Sequence, residues 1–408
     1  MKILFLTLAN VYDVNDHDIY QDLMRFFSNQ GHDVYIVTGI ERKKGLKTEL
    51  YNSCGCNILR VQVGNQSDVS LIEKGISTVL IQSHYMNAIK KHLKGIHFDL
   101  ILYATPPITI MSLVNKLKKK HQCTTYLMLK DIFPQNAVDL GMMRKGSLIH
   151  KYFRNQEKKL YAVSDYIGCM SDANVQYLLK HNCVQKNRVE ICPNSLLPKE
   201  KVQLQEVEEF TLKRKYNIPD DKLILVYGGN LGKPQGIPFL IQCLIALKDD
   251  EEVFILIVGG GSEYKKIESA ILDNNLKNVL LLERLPRADY FRISSLADVG
   301  LIFLDYRFTI PNFPSRILPY MENEIPVACV TDDATDIGDV VQQNNFGWKC
   351  SSNNLEAFIH MVNEIKTSDL KTKGKNGRKY LEEVYNTEFC YRKIMEKMLR
   401  KSKFETNQ

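Results

Sequence analysis

Residues 227–237 have the sequence YGGNLGKPQGI and lie between the apolar run Leu223–Val226 and the apolar segment Pro238–Leu247. A buried strand followed by a glycine turn and a helix presents backbone N–H groups to an anion in an α/β sheet. Lys233 adds a positive charge there, and four glycines let the main chain approach a phosphate: Gly228, Gly229, Gly232 and Gly236. An ordinary tight strand-to-helix turn has the same pattern, so the rest of the chain must distinguish the two interpretations.

Length and composition indicate two globular domains. The chain has 408 residues, of which 44% are hydrophobic and 25% charged, and its net charge is +7. This modest positive charge suits an anionic small molecule or membrane surface and does not require nucleic acid, which we do not expect as a partner. Ten cysteines without metal-type spacing predict a reduced, cytoplasmic protein with no metal site. No apolar run approaches the roughly 18–20 residues of a transmembrane helix, so any membrane contact is expected to be peripheral.

Short apolar runs alternate with helix-length segments along most of the chain. The lack of polar alternation predicts strands covered on both faces, in parallel sheets. Two such series predict an α/β fold with two doubly wound, Rossmann-like domains, residues 1–195 and 196–380, facing a cleft. The seam lies in Cys192–Pro198, and Tyr380–Arg400 is predicted to be a terminal helix that packs back on the first domain. The predicted strands are Ile3–Leu8, Val34–Thr38, Ile58–Val63, Leu100–Tyr103, Thr124–Leu129, Tyr166–Met170, Leu223–Tyr227, Phe254–Val258, Val279–Leu282, Val299–Leu304 and Val327–Val330.

Polar residues follow several predicted strands of the first domain. The segment Asp13–Gln21 contains Asn15, Asp16 and His17. Its Asp-His-Asp triplet resembles a metal–nucleotide motif, although Asp16 or Asp18 is more simply a helix N-cap. Thr105 and Asp131 end two further strands, and Asp131 either orients an acceptor hydroxyl, acts as a base or caps a helix.

The second domain has two further loops at strand ends. The segment GGGSE, Gly259–Glu263, follows one strand and precedes a helix. In NFPSRILPYM, residues 312–321, Ser315 and Arg316 are predicted to lie at a helix N-terminus, where N–H groups and a guanidinium would converge on a diphosphate.

A basic amphipathic segment, residues 142–161, offers two interpretations. Its lysines and arginines surround an apolar face, as in helices that lie on anionic lipid. A solvated helix packed on its own domain has the same composition.

Together these motifs resemble the retaining nucleotide-sugar glycosyltransferases of family 4, which have the GT-B fold. The resemblance covers nearly the whole chain. It is closest to the capsule and O-antigen branch with N-acetylfucosamine-type transferases. The matching segments are HDIYQDLMRFFSNQGHDVYIVT, YATPP, DIFPQNAVDLG, PNS, YGGNLGKPQG, VGGGSE and FPSRILPYMENEIPV.

The resemblance implies a UDP-sugar site in the second domain and an acceptor site in the first, with no divalent metal or other cofactor. Its implied catalytic residues are His17, Asp131, Lys233 and Arg316. On the acceptor side are Asn15, Asp16, His17, Thr105 and Asp131. The donor-binding residues are Gly229, Asn230, Lys233, Gln235, Gly260, Glu263, Arg284, Leu285, Pro314, Ser315 and Arg316.

The chain departs from the family at four positions. Asn230 and Gln235 stand where the family has an arginine and a lysine, and Pro311 and Pro319 stand where it has two glutamates, the second of which contacts ribose. Lys233 or Arg316 must therefore supply the positive charge.

We therefore expect a glycosyltransferase at the inner face of the cell membrane. It would transfer, with retention, a UDP-linked N-acetylhexosamine, such as N-acetylfucosamine, to a lipid-diphosphate-linked saccharide in capsule or O-antigen synthesis. Two alternatives stay open. One is an enzyme similar to UDP-N-acetylglucosamine 2-epimerase, which shares the architecture, and the other is a non-catalytic partner of another glycosyltransferase.

Overall fold

A computed structural model describes residues 1–66 and 69–405 of the chain. The chain divides into two compact units. The first comprises Met1–Leu197 together with the segment from Tyr385 onwards, and the second comprises Pro198–Val384. Each unit contains its own sheet, as the two series of apolar runs predict.

The first unit is built on a sheet with the strand order β3-β4-β2-β1-β5-β6-β7-β8. Seven of these strands are parallel, and β3 is antiparallel to β4. The strands are β1 Lys2–Thr7, β2 Asp33–Glu41, β3 Glu49–Ser53, β4 Cys56–Val63, β5 Leu100–Ala104, β6 Thr124–Leu129, β7 Tyr166–Cys169 and β8 Val189–Ile191. The helices are α1 Ile19–Asn29, α2 Leu71–His92, α3 Met111–His121, α4 Gln135–Asp139, α5 Leu148–Val163 and α6 Asp172–His181.

Strand β1 shows why the apolar runs predict a doubly covered sheet. Ile3 and Phe5 belong to the core on one face, whereas Leu4 and Leu6 belong to the core on the other. Because successive side chains of a strand point to opposite faces, an uninterrupted apolar run requires helices on both sides. The order reverses at β1, which pairs with β2 on one side and β5 on the other.

The second unit has an all-parallel sheet with the order β11-β10-β9-β12-β13-β14. This is the doubly wound order, and it reverses between β9 and β12. Its strands are β9 Leu223–Asn230, β10 Val253–Gly260, β11 Val279–Leu282, β12 Val299–Phe303, β13 Val327–Thr331 and β14 Gly347–Ser351. Its helices are α7 Glu206–Tyr216, α8 Ile237–Ala246, α9 Tyr264–Asp273, α10 Arg287–Ser294, α11 Ile317–Glu322, α12 Ile337–Gln343, α13 Leu355–Lys366 and α14 Leu370–Glu383.

The predicted terminal helix Tyr380–Arg400 is wrong as a single element. It spans the end of α14 and most of a separate helix, α15 Thr387–Glu405, which belongs to the first unit and packs on α1. Between the two helices, the backbone of Leu196 bonds to Tyr385 at 3.0 Å and to Thr387 at 2.9 Å. These long-range hydrogen bonds interrupt the helix, and helical periodicity alone does not reveal them.

Three strands were not predicted: β3, β8 and β14. Strand β3 forms a hairpin with β4 through Cys54 and Gly55, which both have positive φ. Such left-handed residues are typical of two-residue hairpin turns. The three strands are short and lie at or next to sheet edges, where one-sided burial weakens the apolar signal.

Candidate functional site

The glycine loop, residues 228–236, lies where the second sheet reverses its order. It continues from β9 through a 3₁₀ turn, Lys233–Gln235, into α8. Asp305, which follows β12, donates its N–H to the carbonyl of Pro234 at 3.0 Å. The loop therefore lies at the carboxyl ends of β9 and β12, the position at which doubly wound sheets bind ligands.

Three glycines let the glycine loop pack against the loop that follows β10. Gly229 has a φ of +124°, which side chains rarely adopt. A Cβ on Gly259 would overlap the carbonyl oxygen of Gly229, and one on Gly261 would overlap that of Leu231. The two glycine-rich segments thus form one backbone surface, since neither position has room for a side chain.

Arg316 places a positive charge beside this surface. Its guanidinium lies 4.6 Å from the ring centroid of Tyr227, and its Cζ lies 3.5 Å from the position that a Cβ on Gly229 would occupy. Its Nη1 is buried and has no hydrogen-bond partner among the residues that the structure describes. A buried cationic donor without an acceptor is costly, so this geometry favours an anionic ligand that would complete the site.

Tyr320 holds Arg316 near the glycine loop. Its buried hydroxyl accepts a hydrogen bond from Gly228 N–H at 3.1 Å and donates one to the carbonyl of Val226 at 3.3 Å. Arg316 and Tyr320 lie in the same short segment, residues 316–320. Hydrogen bonds that fix Tyr320 against β9 therefore also fix the start of α11, where Arg316 lies. Sequence reasoning missed Tyr320 and Tyr227, because an aromatic residue in an apolar stretch gives no sign of its hydroxyl or ring partner.

Asn230 and Gln235, two positions at which we expect the chain to depart from the family pattern, bond to each other. Gln235 Oε1 accepts from Asn230 Nδ2 and from Gly232 N–H, both at 3.1 Å. Gln235 is buried, whereas Asn230 and Lys233 are exposed. Gln235 therefore supports the loop from inside, and Lys233 is the cation that the loop itself presents to solvent.

The remaining predicted donor residues follow β10, β11 and β12. Gly260 O accepts from Leu231 N at 3.0 Å, and buried Glu263 pairs with Lys266. The exposed Arg284 and half-buried Leu285 follow β11, and the Arg284 Cβ lies 4.0 Å from where a Cβ on Gly260 would be. The structure thus brings Gly260 and Arg284 next to the glycine loop, while the Glu263 carboxylate is already paired.

A buried turn after β13 positions the segment that carries Pro314, Ser315 and Arg316. Asp332 accepts hydrogen bonds from Thr335, whose Oγ1 in turn accepts from Asn312 N–H at 3.0 Å. Burial raises the pKa of Asp332 to about 6. Ser315 is exposed and lies two residues before α11, with Arg316 between them at the N-cap position, so both lie at a helix N-terminus as predicted.

In the first unit, the β1–α1 loop, residues 8–18, is held by hydrogen bonds to the β3–β4 hairpin and to α1. Asn15 Oδ1 accepts from Cys54 Sγ at 2.8 Å, and the carbonyl of the exposed Asp16 accepts from Arg25 at 3.3 Å. Asp18, not Asp16, caps α1 by accepting from Ile19 N–H at 2.8 Å. The prediction of an aspartate N-cap is therefore confirmed for Asp18.

His17 and Asp131 each have a partner that the sequence did not reveal. His17 Nδ1 lies 2.8 Å from Asp22 Oδ2. Both carboxylate oxygens of Asp131 accept from Asn136 Nδ2, at 2.8 and 2.9 Å, so Asp131 is not the cap of α4, which begins after Pro134. Burial raises the pKa of Asp131 to about 6.

Thr105 joins the ends of β5 and β6. Its Oγ1 accepts from the backbone N–H groups of Lys130 at 3.0 Å and Asp131 at 3.3 Å. Thr105 therefore supports the backbone that carries the Asp131 carboxylate.

The beginning of the basic segment 142–161 exposes apolar side chains. Leu148 is 84% and Ile149 62% exposed, and Met142 and Tyr152 are also exposed. We call these four residues the α5 patch. Exposed Arg144, Lys145 and Lys151 lie among them in the sequence.

Within the described residues, no helix is long and apolar enough to span a membrane. Over the same ranges, His, Cys, Asp and Glu side chains form no group of three that could hold a metal ion.

Comparison with known proteins finds a family match in the second unit. Residues 208–380 match the family "Glycosyl transferases group 1". The chain is also 21% identical, over 318 residues and 78% of both chains, to "Probable glycosyltransferase WbjE" of Pseudomonas aeruginosa. The family match thus lies within the second unit, Pro198–Val384.

Two solved structures share the fold of the whole chain. HepE of Anabaena, solved in complex with UDP, has a TM-score of 0.67 at 12% identity, covering 98% of this chain and 100% of that one. WaaG, a glycosyltransferase involved in lipopolysaccharide biosynthesis, has a TM-score of 0.63 at 14% identity, covering 96% and 98%. The predicted α/β fold with two Rossmann-like sheets, as in GT-B glycosyltransferases, is confirmed.

Proposed function

We propose that this chain is a glycosyltransferase that binds the diphosphate of a UDP-sugar between the glycine loop and Arg316. The buried, unpartnered Nη1 of Arg316 carries this proposal, because a phosphate oxygen is the acceptor that a guanidinium binds best. Gly229 is exposed and carries no side chain that would cover the main chain beside Arg316. The match of this unit to the glycosyltransferase group 1 family and the UDP complex of HepE support the same assignment.

Breaking the donor's sugar–phosphate bond places negative charge on the leaving UDP. Arg316 and Lys233 would stabilise that charge, with Ser315 beside them, so we propose that transfer needs no divalent metal. Asn230 and Arg284 would border the nucleotide. We expect excess EDTA to leave the initial rate unchanged, and a rate restored only by added Mg²⁺ or Mn²⁺ would contradict metal-independent transfer.

We further propose that transfer retains the configuration of the sugar. The bond from the anomeric carbon to the diphosphate oxygen breaks, and the new glycosidic bond forms on the same face. The proton of the acceptor hydroxyl passes to the departing diphosphate oxygen. His17 and Asp131 would contact the sugar or the acceptor rather than remove that proton. NMR of the product tests this step, since the anomeric coupling constant of an inverted product would contradict it.

The proposed donor is a UDP-linked N-acetylhexosamine, with N-acetylfucosamine as the first candidate, and the proposed acceptor is a lipid-diphosphate-linked saccharide of capsule or O-antigen synthesis. The resemblance of segments such as FPSRILPYMENEIPV to amino-sugar transferases supports the donor. The involvement of WaaG in lipopolysaccharide biosynthesis supports the class of acceptor. The enzyme would thus be a hexosyltransferase of the N-acetylhexosaminyl type.

Calorimetry with UDP tests the site directly. We expect Arg316→Met to weaken UDP binding about 10- to 100-fold, since a hydrogen bond to a charged group contributes about 1.5–3 kcal/mol. Arg292→Met is the matched control, because Arg292 is a partly exposed arginine of the same unit that pairs with Glu208. Equal binding by wild type and Arg316→Met would show that the diphosphate does not bind there.

The two alternative functions give different results in the same experiments. Incubating UDP-N-acetylglucosamine without acceptor and recording NMR spectra would reveal inversion at C2 if the chain were an epimerase. A wild-type chain that fails to bind millimolar UDP would instead indicate a non-catalytic partner. We expect binding without C2 inversion.

For the lipid-linked acceptor, we propose that the α5 patch contacts the inner face of the cell membrane. Exposed apolar side chains would enter the interface while Arg144, Lys145 and Lys151 face anionic headgroups, each worth about 1 kcal/mol near such a surface. No acidic residue lies between Gly141 and Gln156 to oppose this.

Sedimentation with phosphatidylglycerol/phosphatidylcholine vesicles tests the contact. Replacing Leu148 and Ile149 by serine should lower the bound fraction several-fold. Serine at Val207 and Phe210 is the control, since these residues are 74% and 55% exposed on α7, which begins with acidic residues. Equal loss in both double variants would contradict a specific α5 contact.

A further inference from the structure

The side-chain amide of Asn136 binds the carboxylate of Asp131. Its Nδ2 donates to Oδ1 at 2.8 Å and to Oδ2 at 2.9 Å. We propose that Asn136 is a positioning residue for sugar transfer, which holds the Asp131 carboxylate in one orientation so that it accepts a hydrogen bond from a sugar hydroxyl. This inference rests on the proposed function, because the hydroxyl belongs to its donor or acceptor.

The orientation of the Asn136 amide is itself fixed. Its Oδ1 accepts from the backbone N–H of Ala137 at 2.6 Å. A backbone N–H can only donate, so the atom beside it must be the amide oxygen, and the atom that faces Asp131 must be the nitrogen. Asn136 therefore presents a donor to Asp131 and cannot turn over without losing both sets of hydrogen bonds.

The backbone on both sides of the pair is held as well. The buried Thr105 accepts from the N–H groups of Lys130 and Asp131, and the N–H of Asn136 donates to the carbonyl of Ile132 at 3.1 Å. The segment 131–136 thus closes on itself at the carboxyl end of β6. The carboxylate is fixed through its own oxygens and through the chain that carries it.

The remaining acceptor capacity of the carboxylate determines what it can bind. An ionised carboxylate has about four acceptor sites, so a single amide leaves a further site on each oxygen. Asp131 is half-buried, which leaves part of the residue open to a ligand. Acceptor sites select groups that donate, such as the hydroxyl groups of a sugar. Holding the carboxylate in one orientation would limit this recognition to hydroxyls at one position.

Asn136 also acts on the protonation of Asp131. Burial raises the pKa of Asp131 to about 6, and the hydrogen bond from Asn136 opposes that rise. The charged side chains next to the pair have other partners, since Lys130 Nζ donates to the carbonyl that follows β8 at 3.5 Å and Asp139 accepts from Gln135 at 2.7 Å. Because a donor stabilises the ionised form, loss of the Asn136 amide must raise the pKa of Asp131 further.

NMR of the full chain labelled with ¹³C-aspartate measures this titration without any substrate, and Asp131→Asn identifies the Asp131 signal. We expect a midpoint near pH 6 in the wild type. Asn136→Leu should move the midpoint up by about one pH unit, since a hydrogen bond to a charged group is lost. Asn136→Ala repeats the measurement with a better helix former and should move it equally. An unchanged midpoint in both variants would overturn the proposal.

Gln135→Met is the matched control. Gln135 is the neighbouring residue of α4, and its Nε2 donates to the Asp139 carboxylate at 2.7 Å. This variant therefore also removes a hydrogen bond between an amide and a carboxylate in α4. We expect a lower melting temperature in both Gln135→Met and Asn136→Leu, but a changed Asp131 midpoint only in Asn136→Leu. Equal midpoint changes would show that Asp131 responds to loosening of α4, which would overturn the specific role of Asn136.

Turnover of the UDP-sugar with acceptor provides the functional readout. At pH 8, where Asp131 is largely ionised, we expect Asn136→Leu to lower the rate about tenfold through lost positioning, and its acid limb should lie about one pH unit above that of the wild type. Combining it with Asp131→Asn should cause no loss beyond that of Asp131→Asn alone. UDP affinity measured by calorimetry should stay within twofold.

The outcomes separate this proposal from the proposed function. An unchanged rate in Asn136→Leu, or multiplicative losses in the double variant, would overturn the positioning role. A wild type that binds no UDP would instead overturn the proposed function, whereas the carboxyl titration tests the Asn136–Asp131 pair independently of any substrate.

Discussion

The glycine loop and the β1–α1 loop occupy equivalent positions, each after the strand at which its sheet reverses order. The β1–α1 loop is rich in polar side chains that bond to the β3–β4 hairpin, as Asp13 does to Ser53 and Asn15 to Cys54. The glycine loop is rich in glycine and lies beside the half-buried Arg316, whose Nη1 is buried and unpartnered among the described residues.

Because of this difference, we expect the same architecture to recognise a diphosphate at one loop and sugar hydroxyl groups at the other. Backbone N–H groups and a fixed cation suit a diphosphate, which is the same in every UDP-sugar. Oriented side chains such as His17 and Asp131 suit hydroxyl groups, whose positions differ between sugars. We therefore expect changes in the glycine loop to affect the affinity for every UDP derivative, and changes at Asp131 to affect transfer.

The largest expected effect comes from Gly259→Ala. The new Cβ would overlap the carbonyl oxygen of Gly229, so the strand ends must separate, at about 1–3 kcal/mol of stability. We expect UDP affinity to fall about 100-fold, measured by calorimetry alongside thermal melting. Gly75→Ala is the control, because a Cβ there meets nothing within 4 Å. It lies in α2, where alanine should stabilise by about 0.5–1 kcal/mol. Unchanged UDP affinity in Gly259→Ala would contradict the packed backbone surface.

Asp131 should give the transfer rate an acid limb near pH 6. Its carboxyl pKa is raised by burial to about 6, so below that pH the rate should fall about tenfold per pH unit if the ionised form is required. Asp131→Asn should be slow and lack this limb, as measured by initial rates from pH 4.5 to 8. Asp332→Asn is the control, because it removes another carboxyl group whose pKa is about 6 and so tests whether the acid limb belongs to Asp131 in particular.

Unfolding cannot produce the same limb through Asp131. Its folded pKa lies above the ordinary value of 3.8, so its protonation favours the folded state. That contribution to stability is fully present below pH 3.8 and is lost as the pH rises through about 6. An acid limb that persists in Asp131→Asn would assign it to another group.

A smaller effect is expected at the hydrogen-bonded pair in the glycine loop. Gln235→Ala leaves Gly232 N–H and Asn230 Nδ2 without their acceptor, so UDP affinity should fall about tenfold, or about 1–2 kcal/mol. Asn230→Ala removes one exposed donor and should cost about twofold. Calorimetry on both variants and the double variant measures the coupling. A larger loss in Asn230→Ala than in Gln235→Ala would show that Asn230 contacts the donor directly.

The smallest effect is expected from Lys233→Met. Lys233 is exposed, so its attraction to the diphosphate is screened and amounts to about 0.5–1 kcal/mol, or a 2- to 5-fold loss of affinity. The loss should disappear in 0.5 M NaCl, whereas that of Arg316→Met should persist. A loss in Lys233→Met as large and as salt-resistant as that in Arg316→Met would place the main diphosphate contact on Lys233.

The two Rossmann-like sheets can be predicted from the sequence alone, because apolar runs without alternation are compatible with little else than strands covered on both faces. It also predicted the glycine loop and the Ser315–Arg316 segment, since glycine turns and helix starts are local features. It did not reveal the break between α14 and α15, which depends on Leu196, far away in the chain.

The hydrogen-bond and ion-pair partners of the candidate side chains became known from the three-dimensional structure. Asn136 and Tyr320 act through hydrogen bonds to Asp131 and Gly228, and the residue types of Asn136 and Tyr320 alone predict core or surface positions. The fold also leaves Arg316 Nη1 without an acceptor among the described residues, whereas the Glu263 carboxylate already accepts from Lys266. The physical reason is that secondary structure follows from neighbours in sequence, whereas the partners of buried polar groups are set by which strand ends and helices the fold brings together.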